Sequence, residues 1–187
     1  MTEPNAGPVT RQGGTVWLTG LPSAGKTTIA LSLAERLRAD GHRVQVLDGD
    51  ELRAALSADL GFSKEDRDTN VRRTGYVAGL LAGHGVTVLV PVIAPYAASR
   101  AAVREQHAER GVPYLEVHVA TPVKVCAARD VKGLYAKQAA GLLHGLTGVD
   151  DLYEEPVAPD LRIHTQDETV EDSVRRLHAL LTAGGLS

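Results

Sequence analysis

The segment GLPSAGKT, residues 20–27, has the residue types and spacing needed to bind a nucleoside triphosphate. It fits the pattern G-x-x-x-x-G-K-[ST], in which the glycines let backbone N–H groups surround the β-phosphate. Lys26 would neutralise the β- and γ-phosphate oxygens, and the hydroxyl of Thr27 would be a ligand of Mg²⁺. The residues assigned to this nucleotide site are Gly20, Leu21, Pro22, Ser23, Ala24, Gly25, Lys26, Thr27 and Thr28.

The rest of the sequence narrows the class of nucleotide-binding protein. A GTPase would need an N-K-x-D motif to read guanine, and neither Asn5 nor Asn70, the only asparagines, forms one. Motor and transport ATPases are usually larger and work in assemblies. A small chain with a long candidate lid, residues 131–159, fits a small-molecule kinase, because a lid excludes water as a competing phosphoryl acceptor.

Two carboxylates, Asp48 and Asp50, end the second predicted strand. Because alternate residues of a strand share a face, we expect both side chains to point toward the phosphate loop. One of them could take the proton of an acceptor hydroxyl or hold Mg²⁺ through water. Solvated acids in a strand-end turn are the alternative, and the position beside the phosphate loop favours the catalytic role.

The basic segment 61–73 is suited to an anionic acceptor. Arg67, Asn70 and Arg73 recur every three residues and share a helix face, whereas Arg72 lies to the side. Through Arg67 and Asn70, such a face could offer a fork of donors to the acceptor. A solvated face paired with neighbouring acids is the alternative, and for Arg72 and Arg73 both interpretations stay open.

Strand and helix patterns alternate around these residues. Strands are predicted over 15–20, 43–50, 86–93, 114–120 and 161–165, and helices over 26–40, 66–83, 97–110, 122–130 and 168–181. The alternation predicts an α/β fold of the three-layer P-loop type, with a mostly parallel sheet and helices on both faces. Ligands in such folds bind at the carboxyl ends of the strands. Residues 1–12 are predicted to be a flexible tail, and 13–187 a single domain.

Composition excludes several other functions. The chain has 187 residues and a net charge of −3, which argues against nucleic-acid binding through bulk charge. The only cysteine, Cys126, allows no intrachain disulfide and favours a reducing compartment. No apolar run is long enough to span a bilayer, and the N-terminus lacks the apolar core of a signal peptide. We therefore expect a cytoplasmic protein without a membrane partner.

Six segments resemble, in order, those of the adenylylsulfate kinases, or APS kinases: GLPSAGKTT, LDGDELR, GFSKEDRDTNVRR, PYAASR, CAARDVKGLY and GLTGVDDLYEEP. The resemblance covers residues 13–182. It implies a P-loop kinase with a mobile lid, often a homodimer, that works in sulfate assimilation. It also implies that ATP with Mg²⁺ phosphorylates the 3′-hydroxyl of adenosine 5′-phosphosulfate (APS), giving PAPS. An aspartate of the D-G-D triplet would handle that hydroxyl.

The resemblance also assigns residues to the two substrates. The acceptor residues are Arg53, Phe62, Arg67, Asn70, Ile93 and Lys137, and Arg129 is assigned to the nucleotide. The catalytic residues are Lys26, Asp48 and Asp50, and which aspartate is the base stays open.

The chain departs from the family pattern at a few positions near these residues. Glu51 stands where the family has an asparagine, and Ala94 stands where it has a serine that is phosphorylated in some members. In the lid, Ala136 and Ala139 replace basic residues, and Leu146 replaces a phenylalanine. These changes leave open a related kinase with another hydroxyl acceptor in specialised metabolism. A nucleotide-binding regulatory protein without turnover is a third hypothesis, and the retained lysine and acids argue against it.

Overall fold

The structure, a computed structural model, describes residues 12–186. The tail predicted over residues 1–12 lies outside this range, apart from Gln12. The strands of the described chain are β1 (Gly14–Thr19), β2 (Val44–Val46), β3 (Thr87–Pro91), β4 (Tyr114–Val119) and β5 (Leu161–Ile163). The helices are α1 (Lys26–Ala39), α2 (Gly49–Leu56), α3 (Lys64–Gly83), α4 (Ala97–Glu109), α5 (Val123–Arg129), α6 (Leu134–Ala139) and α7 (Val170–Ala183).

The strands form a parallel sheet in the order β2-β3-β1-β4-β5. Side chains of the central strand β1 alternate between two cores. Val16 and Leu18 pack with residues of α1 and α7, whereas Trp17 packs with residues of α3 and α4 on the opposite face. All three are fully buried, and burying each such side chain contributes about 1.5–3 kcal/mol. The helices therefore cover both faces, which confirms the predicted three-layer α/β fold.

Gly75 permits the close packing of α3 against α4. A Cβ atom built at this position would lie 2.7 Å from Cγ2 of Val103, so a larger residue would require Val103 or the helices to shift. This contact fixes α3, and with it the segment that contains the predicted acceptor residues.

The second predicted strand, 43–50, is too long. Strand β2 ends at Val46, and Asp48 caps a helix, α2, that sequence analysis did not predict. The carboxylate of Asp48 accepts hydrogen bonds from the backbone N–H groups of Asp50 and Glu51, which a helix leaves unpaired at its start. The hydrogen bonds of this cap favour the start of a helix at Asp48 over a continuation of the strand.

The candidate lid, residues 131–159, contains the short helix α6, which is not among the helices predicted from the sequence. The carboxylate of Asp130 accepts hydrogen bonds from the backbone N–H groups of Tyr135 and Ala136, at 3.0 and 2.9 Å, and so fixes the first turn. Among residues 12–186, no helix combines the length and the apolar character needed to cross a membrane.

Candidate active site

A cavity of about 880 Å³ opens where the first three strands of the chain end, at the edge predicted from the parallel topology. Fifteen of the predicted site residues line it: Pro22, Ser23, Ala24, Gly25, Lys26, Thr27, Thr28, Asp48, Asp50, Arg53, Phe62, Arg67, Asn70, Ile93 and Arg129. Gly20 and Leu21 are not among the lining residues, and neither is Lys137, which is exposed on α6. The role assigned to Lys137 therefore stays a prediction.

The phosphate loop, residues 20–27, turns directly from β1 into α1. Gly25 precedes the helix with φ of 105°, a left-handed conformation that favours glycine. Ser23 is also left-handed, with φ of 60°. The first N–H groups of a helix lack partners within it and attract anions. The loop therefore presents backbone donors to a phosphate at the start of the long helix α1.

Lys26 is buried at the start of α1, and the loop itself holds its ammonium group. Nζ donates hydrogen bonds to the carbonyl oxygens of Gly20, at 2.8 Å, and Leu21, at 2.7 Å. Burial lowers the pKa of Lys26 to about 8; the charge of Lys132 acts in the same direction, while Cys126 and two carboxylates oppose it. Burial thus disfavours the charged form of this lysine, and an anionic ligand such as a phosphate would favour it.

Asp48 connects the second strand to the phosphate loop. Thr27 Oγ1 lies 3.4 Å from Asp48 Oδ2, while Asp48 Oδ1 accepts the N–H of Asp50 at 3.0 Å. The expectation that Asp48 and Asp50 share one face of a strand is therefore wrong, because a helix begins between them. Asp48 contacts the phosphate loop, and Asp50 reaches the lid instead.

Asp50 forms an ion pair with Lys132, a site residue that sequence analysis missed. Lys132 lies in the turn between α5 and α6, lines the cavity, and is 82 residues away from Asp50 in the chain. This lysine lies in the segment CAARDVKGLY, which resembles the family, but residue type alone does not distinguish it from a solvated lysine. The structure shows that it lines the cavity.

Arg67 is held by the lid. Its guanidinium donates to the carbonyl oxygen of Phe62 at 2.9 Å, to Thr147 Oγ1 at 2.7 Å and to the carbonyl oxygen of Gly145 at 2.8 Å. It also forms a salt bridge of 3.0 Å with Asp151. The arginine predicted to bind the acceptor therefore also fastens the lid to α3.

Phe62 and Asn70 lie near Arg67 in the same part of the cavity. The Phe62 ring is 71% exposed, and the Arg53 guanidinium lies 4.3 Å from its centroid. An exposed ring of this kind can stack on a purine base. Asn70 Oδ1 is buried and has no hydrogen-bond partner among the described residues, and a buried acceptor of this kind needs a ligand or a water. This end of the cavity can therefore bind a flat, anionic molecule.

The other arginines of this segment do not line the cavity. Arg73 donates to both carboxylate oxygens of Asp59, at 2.6 and 2.9 Å, and Arg72 donates to Thr69 Oγ1 at 3.0 Å. For Arg72 and Arg73 the sequence left open a role in acceptor binding or a place on a solvated face. The structure fits the solvated face. Arg67 and Arg73 were predicted to share a helix face, but their side chains do not reach one common site. Arg67 lines the cavity and Arg73 does not.

Arg129 lies against the phosphate loop at the end of α5. It donates to the Ala24 carbonyl oxygen at 3.3 Å, to Thr165 Oγ1 at 2.7 Å and to the Thr165 carbonyl oxygen at 3.0 Å. Thr165 also lines the cavity, and sequence analysis did not single it out. Arg129 therefore joins the loop after β5 to the nucleotide end of the site.

Of the residues that depart from the family pattern, only Ala94 lines the cavity. Ala94 is left-handed, with φ of 44°, and its carbonyl oxygen accepts a hydrogen bond of 2.8 Å from Arg100. Glu51 is exposed on the first turn of α2, and Leu146 is buried in the core. Ala136 and Ala139, which are exposed on α6, do not line the cavity either. The departures from the family pattern therefore leave the wall of the cavity largely unchanged.

The α/β fold and the phosphate loop define the class: the protein is a P-loop kinase. More particularly, the chain belongs to the adenylylsulphate kinase family, whose model matches residues 12–164. It is 52% identical to the adenylyl-sulfate kinase of Myxococcus xanthus over 171 residues, which are 91% of this chain and 92% of the relative. It is 51% identical to the probable adenylyl-sulfate kinase of Synechocystis sp. over 167 residues, which are 89% and 92% of the two chains.

Solved structures show the same relationship. The structure of the Mycobacterium tuberculosis APS kinase CysC in complex with AMPPNP and APS is similar, with a TM-score of 0.89 and 45% identity. The match covers 91% of this chain and 98% of that one. A sugar kinase from Janibacter sp., at 18% identity and a TM-score of 0.60, shares the fold alone.

Proposed function

We propose that this kinase transfers the γ-phosphoryl group of ATP to the 3′-hydroxyl of adenosine 5′-phosphosulfate, giving PAPS and ADP. The observation that carries the proposal is the arrangement of one cavity with two chemically different ends. The phosphate loop and Lys26 form one end, and Arg53, Phe62 and Asn70 form the other. The similarity to a kinase structure that holds AMPPNP and APS together supports the same two ligands here.

The residues divide the reaction between binding and proton transfer. Lys26 would balance the charge on the transferred phosphoryl group, where a buried cation is worth more than an exposed one. Either Asp48 or Asp50 would take the proton of the acceptor hydroxyl as that oxygen attacks the γ-phosphorus. Phe62 would stack on the adenine of the acceptor, and Arg67 would bind its phosphosulfate group.

The oxygen atoms beside the phosphate loop fit the Mg²⁺ that accompanies ATP. The hydroxyl of Thr27 and the carboxylate of Asp48 lie 3.4 Å apart, and Mg²⁺ in kinases takes one or two such ligands together with phosphates and waters. When bound, the ion would neutralise charge on the phosphate oxygens. We assign Thr27 as a ligand of Mg²⁺, and Asp48 would bind the ion directly or through water.

The test is to incubate the purified protein with MgATP and APS and to separate the products. We expect PAPS and ADP in equal amounts. A 3′-deoxy analogue of APS serves as the control, because it lacks the accepting hydroxyl and should give no phosphorylated product. Rapid phosphorylation of another hydroxyl compound from a panel, with APS left unreacted, would instead establish the alternative acceptor.

We further propose that the protein works in the cytoplasm as a homodimer. The hexameric APS kinase from Thiobacillus denitrificans is similar, with a TM-score of 0.71 and 33% identity. The match covers 95% of this chain and 30% of that one. A hexamer is therefore the alternative to the dimer. Sedimentation velocity at several concentrations distinguishes a monomer, a dimer and a hexamer.

A further inference from the structure

The β3–α4 loop, residues 92–96, contributes Ile93, Ala94 and Pro95 to the lining of the cavity. Ile93 is one of the residues assigned to the acceptor. Ala94 is left-handed, with φ of 44°, and an alanine keeps this conformation only where its surroundings hold the backbone in place. The contacts that hold this loop therefore help to shape the cavity.

Arg100, in the first turns of α4, binds the loop and the lid at the same time. It is only 3% exposed and is not among the lining residues. Nη1 donates to the carbonyl oxygen of Ala94 at 2.8 Å, and Nη2 donates to the carbonyl oxygen of Glu154, in the lid, at 2.7 Å. Nε donates to the carboxylate of Glu116, on β4, at 2.8 Å, which balances the buried charge. One guanidinium thus joins the loop, the lid and the sheet.

Glu154 connects the same two segments through its backbone and its side chain. Its N–H donates to the carbonyl oxygen of Pro95 at 2.8 Å. Its carboxylate accepts the N–H of Ala97, the first residue of α4, at 2.6 Å. Tyr96, which precedes the helix, makes no side-chain cap. A residue of the lid therefore binds an N–H group that the start of a helix leaves unpaired.

The carbonyl group of Ile93 is held through two hydroxyl groups. Thr19 Oγ1 donates to the Ile93 carbonyl oxygen at 2.5 Å and lies 3.0 Å from the hydroxyl of Tyr153. Because the only hydroxyl proton of Thr19 is used in the first bond, Tyr153 donates in the second. Burial raises the pKa of Tyr153 to about 12, so its hydroxyl keeps this proton at neutral pH. Groups outside the loop thus bind the carbonyl oxygens of all three residues 93–95.

From these contacts we propose that Arg100 is a positioning residue for the acceptor. Its planar fork holds the carbonyl groups of Ala94 and Glu154 together, so the wall of the cavity and this end of the lid keep one geometry. Arg100 acts through Ile93 and Ala94, whose placement sets where the accepting hydroxyl lies relative to the γ-phosphate. The effect on turnover rests on the proposed function, whereas the hold on the loop does not.

Arg100→Lys tests the fork without leaving Glu116 unpaired, because lysine keeps the charge but cannot reproduce the geometry of a guanidinium. Amide hydrogen exchange should become about tenfold faster at Glu154 and Ala97, whose N–H groups bind across the two segments. Arg104→Gln is the matched control. Arg104 also lies on α4, is 41% exposed, and pairs with Glu116 and Asp160. Unchanged exchange in folded Arg100→Lys would overturn the proposal.

A double variant covers the case in which Arg100→Lys does not fold. Arg100→Met combined with Glu116→Gln removes the whole ion pair and leaves no buried charge without a partner. The same faster exchange is expected, by comparison with Glu116→Gln alone. Equal exchange in the double variant and in Glu116→Gln would refute the role of the guanidinium.

Turnover distinguishes positioning from a contribution to stability alone. Arg100→Lys should lower kcat with MgATP and APS about tenfold to a hundredfold, as misplacement of a reacting group does, and should change the dissociation constant of AMPPNP by less than about twofold. A lower midpoint of urea unfolding with the kcat of the parent would show a structural role only and would contradict the proposal.

The same comparison separates this inference from the proposed acceptor. If the parent phosphorylates another hydroxyl compound and leaves APS unreacted, kcat is measured with that compound. A loss of kcat there, together with faster exchange at Glu154 and Ala97, would disprove APS as the acceptor and leave the role of Arg100 standing. Faster exchange with an unchanged kcat would refute positioning for either acceptor.

Discussion

Arg67 of α3 and Asp151 of the lid form a salt bridge of 3.0 Å in which the side chains are only 11% and 26% exposed. The same guanidinium donates to Thr147 and to the carbonyl oxygen of Gly145. One arginine thus joins the segment predicted to bind the acceptor to the segment predicted to close over it. If an anionic acceptor binds at Arg67, as we propose, its binding should be coupled to the position of the lid.

We expect Arg67→Ala to raise the dissociation constant for APS by about tenfold to a hundredfold, the effect of losing a charged hydrogen-bonded contact. ATP affinity should stay within about twofold, because none of the described hydrogen bonds and ion pairs of Arg67 is with the phosphate loop. Arg72→Ala is the control on the same helix, since Arg72 is exposed and donates only to Thr69 among the described contacts. A defect confined to ATP binding would mean that Arg67 serves the other substrate.

Asp151→Asn separates the lid contact from the acceptor contact. It removes the charge that pairs with Arg67 and leaves the arginine in place for the acceptor. We expect APS binding to be weakened less than in Arg67→Ala, with faster amide hydrogen exchange in the lid. Unchanged exchange in the lid of Asp151→Asn would show that the salt bridge does not hold it.

Replacing Lys26 by alanine should lower kcat/KM by about three orders of magnitude, because a charge aimed at the transferred phosphoryl is lost. Steady-state assays with MgATP and APS provide the measurement. Lys124→Ala is a suitable control, because Lys124 is exposed on α5 and does not line the cavity. Turnover of Lys26→Ala within about tenfold of the parent would contradict the assignment of the phosphate loop to catalysis.

Asparagine substitutions identify the base. The variant of the true base should lose about two to four orders of magnitude in kcat while its KM for APS changes little. Asp48→Asn keeps the cap of α2, since asparagine caps helices as well as aspartate does, whereas Asp48→Ala should cost a further 1 kcal/mol or so of stability. If Asp48→Asn and Asp50→Asn both retain kcat within about threefold, neither carboxylate takes the proton.

Transfer should be direct, because the side chain of Ala94 has no hydroxyl group to phosphorylate at the position of the family's serine. We expect intersecting initial-rate patterns, which indicate that both substrates are bound together, rather than the parallel lines of a ping-pong mechanism. The protein should remain unlabelled after denaturation when it is incubated with γ-labelled ATP alone. Stoichiometric labelling, for example on the buried hydroxyls of Ser99 or Thr87, would contradict direct transfer and leave the kinase class intact.

His118 should make the fold sensitive to acid. Burial, and then the charge of Arg162, lower the pKa of His118 to about 4, and its Nδ1 has no partner among the described residues. The unfolded chain therefore binds more protons than the folded one below pH 6.5, and stability is lost as the pH falls from 6.5 toward 4. Between pH 7 and pH 5 this loss is about 2 kcal/mol.

Urea unfolding at both pH values measures this effect. His118→Gln should remove most of the loss, whatever the substitution costs at pH 7, and the exposed His144 supplies the control variant His144→Gln. An unchanged pH dependence in His118→Gln would assign the acid sensitivity to other groups.

Several features followed from the sequence because they depend on local patterns. The phosphate loop required a fixed spacing of Gly25, Lys26 and Thr27, and the structure has that turn between a strand and a helix. Helix α1 was predicted to within a residue at each end, since its apolar side chains recur every four residues. The helix α2 was missed because the predicted strand, 43–50, extended through Asp50. The hydrogen bonds with which Asp48 caps the helix are visible only in three dimensions.

By itself the sequence predicted the α/β class, the phosphate loop and the family, because each follows from residue types and their spacing. One short segment is enough for the loop, whereas the class and the family follow from a series of segments along the chain. Tertiary structure alone decided how those segments meet across the cavity. Lys132 pairs with Asp50, and Arg67 binds Gly145 and Asp151. These contacts join residues about eighty positions apart in the chain. No periodicity links such distant residues; the parallel sheet does, because it brings the ends of its strands, and the loops that follow them, to one edge.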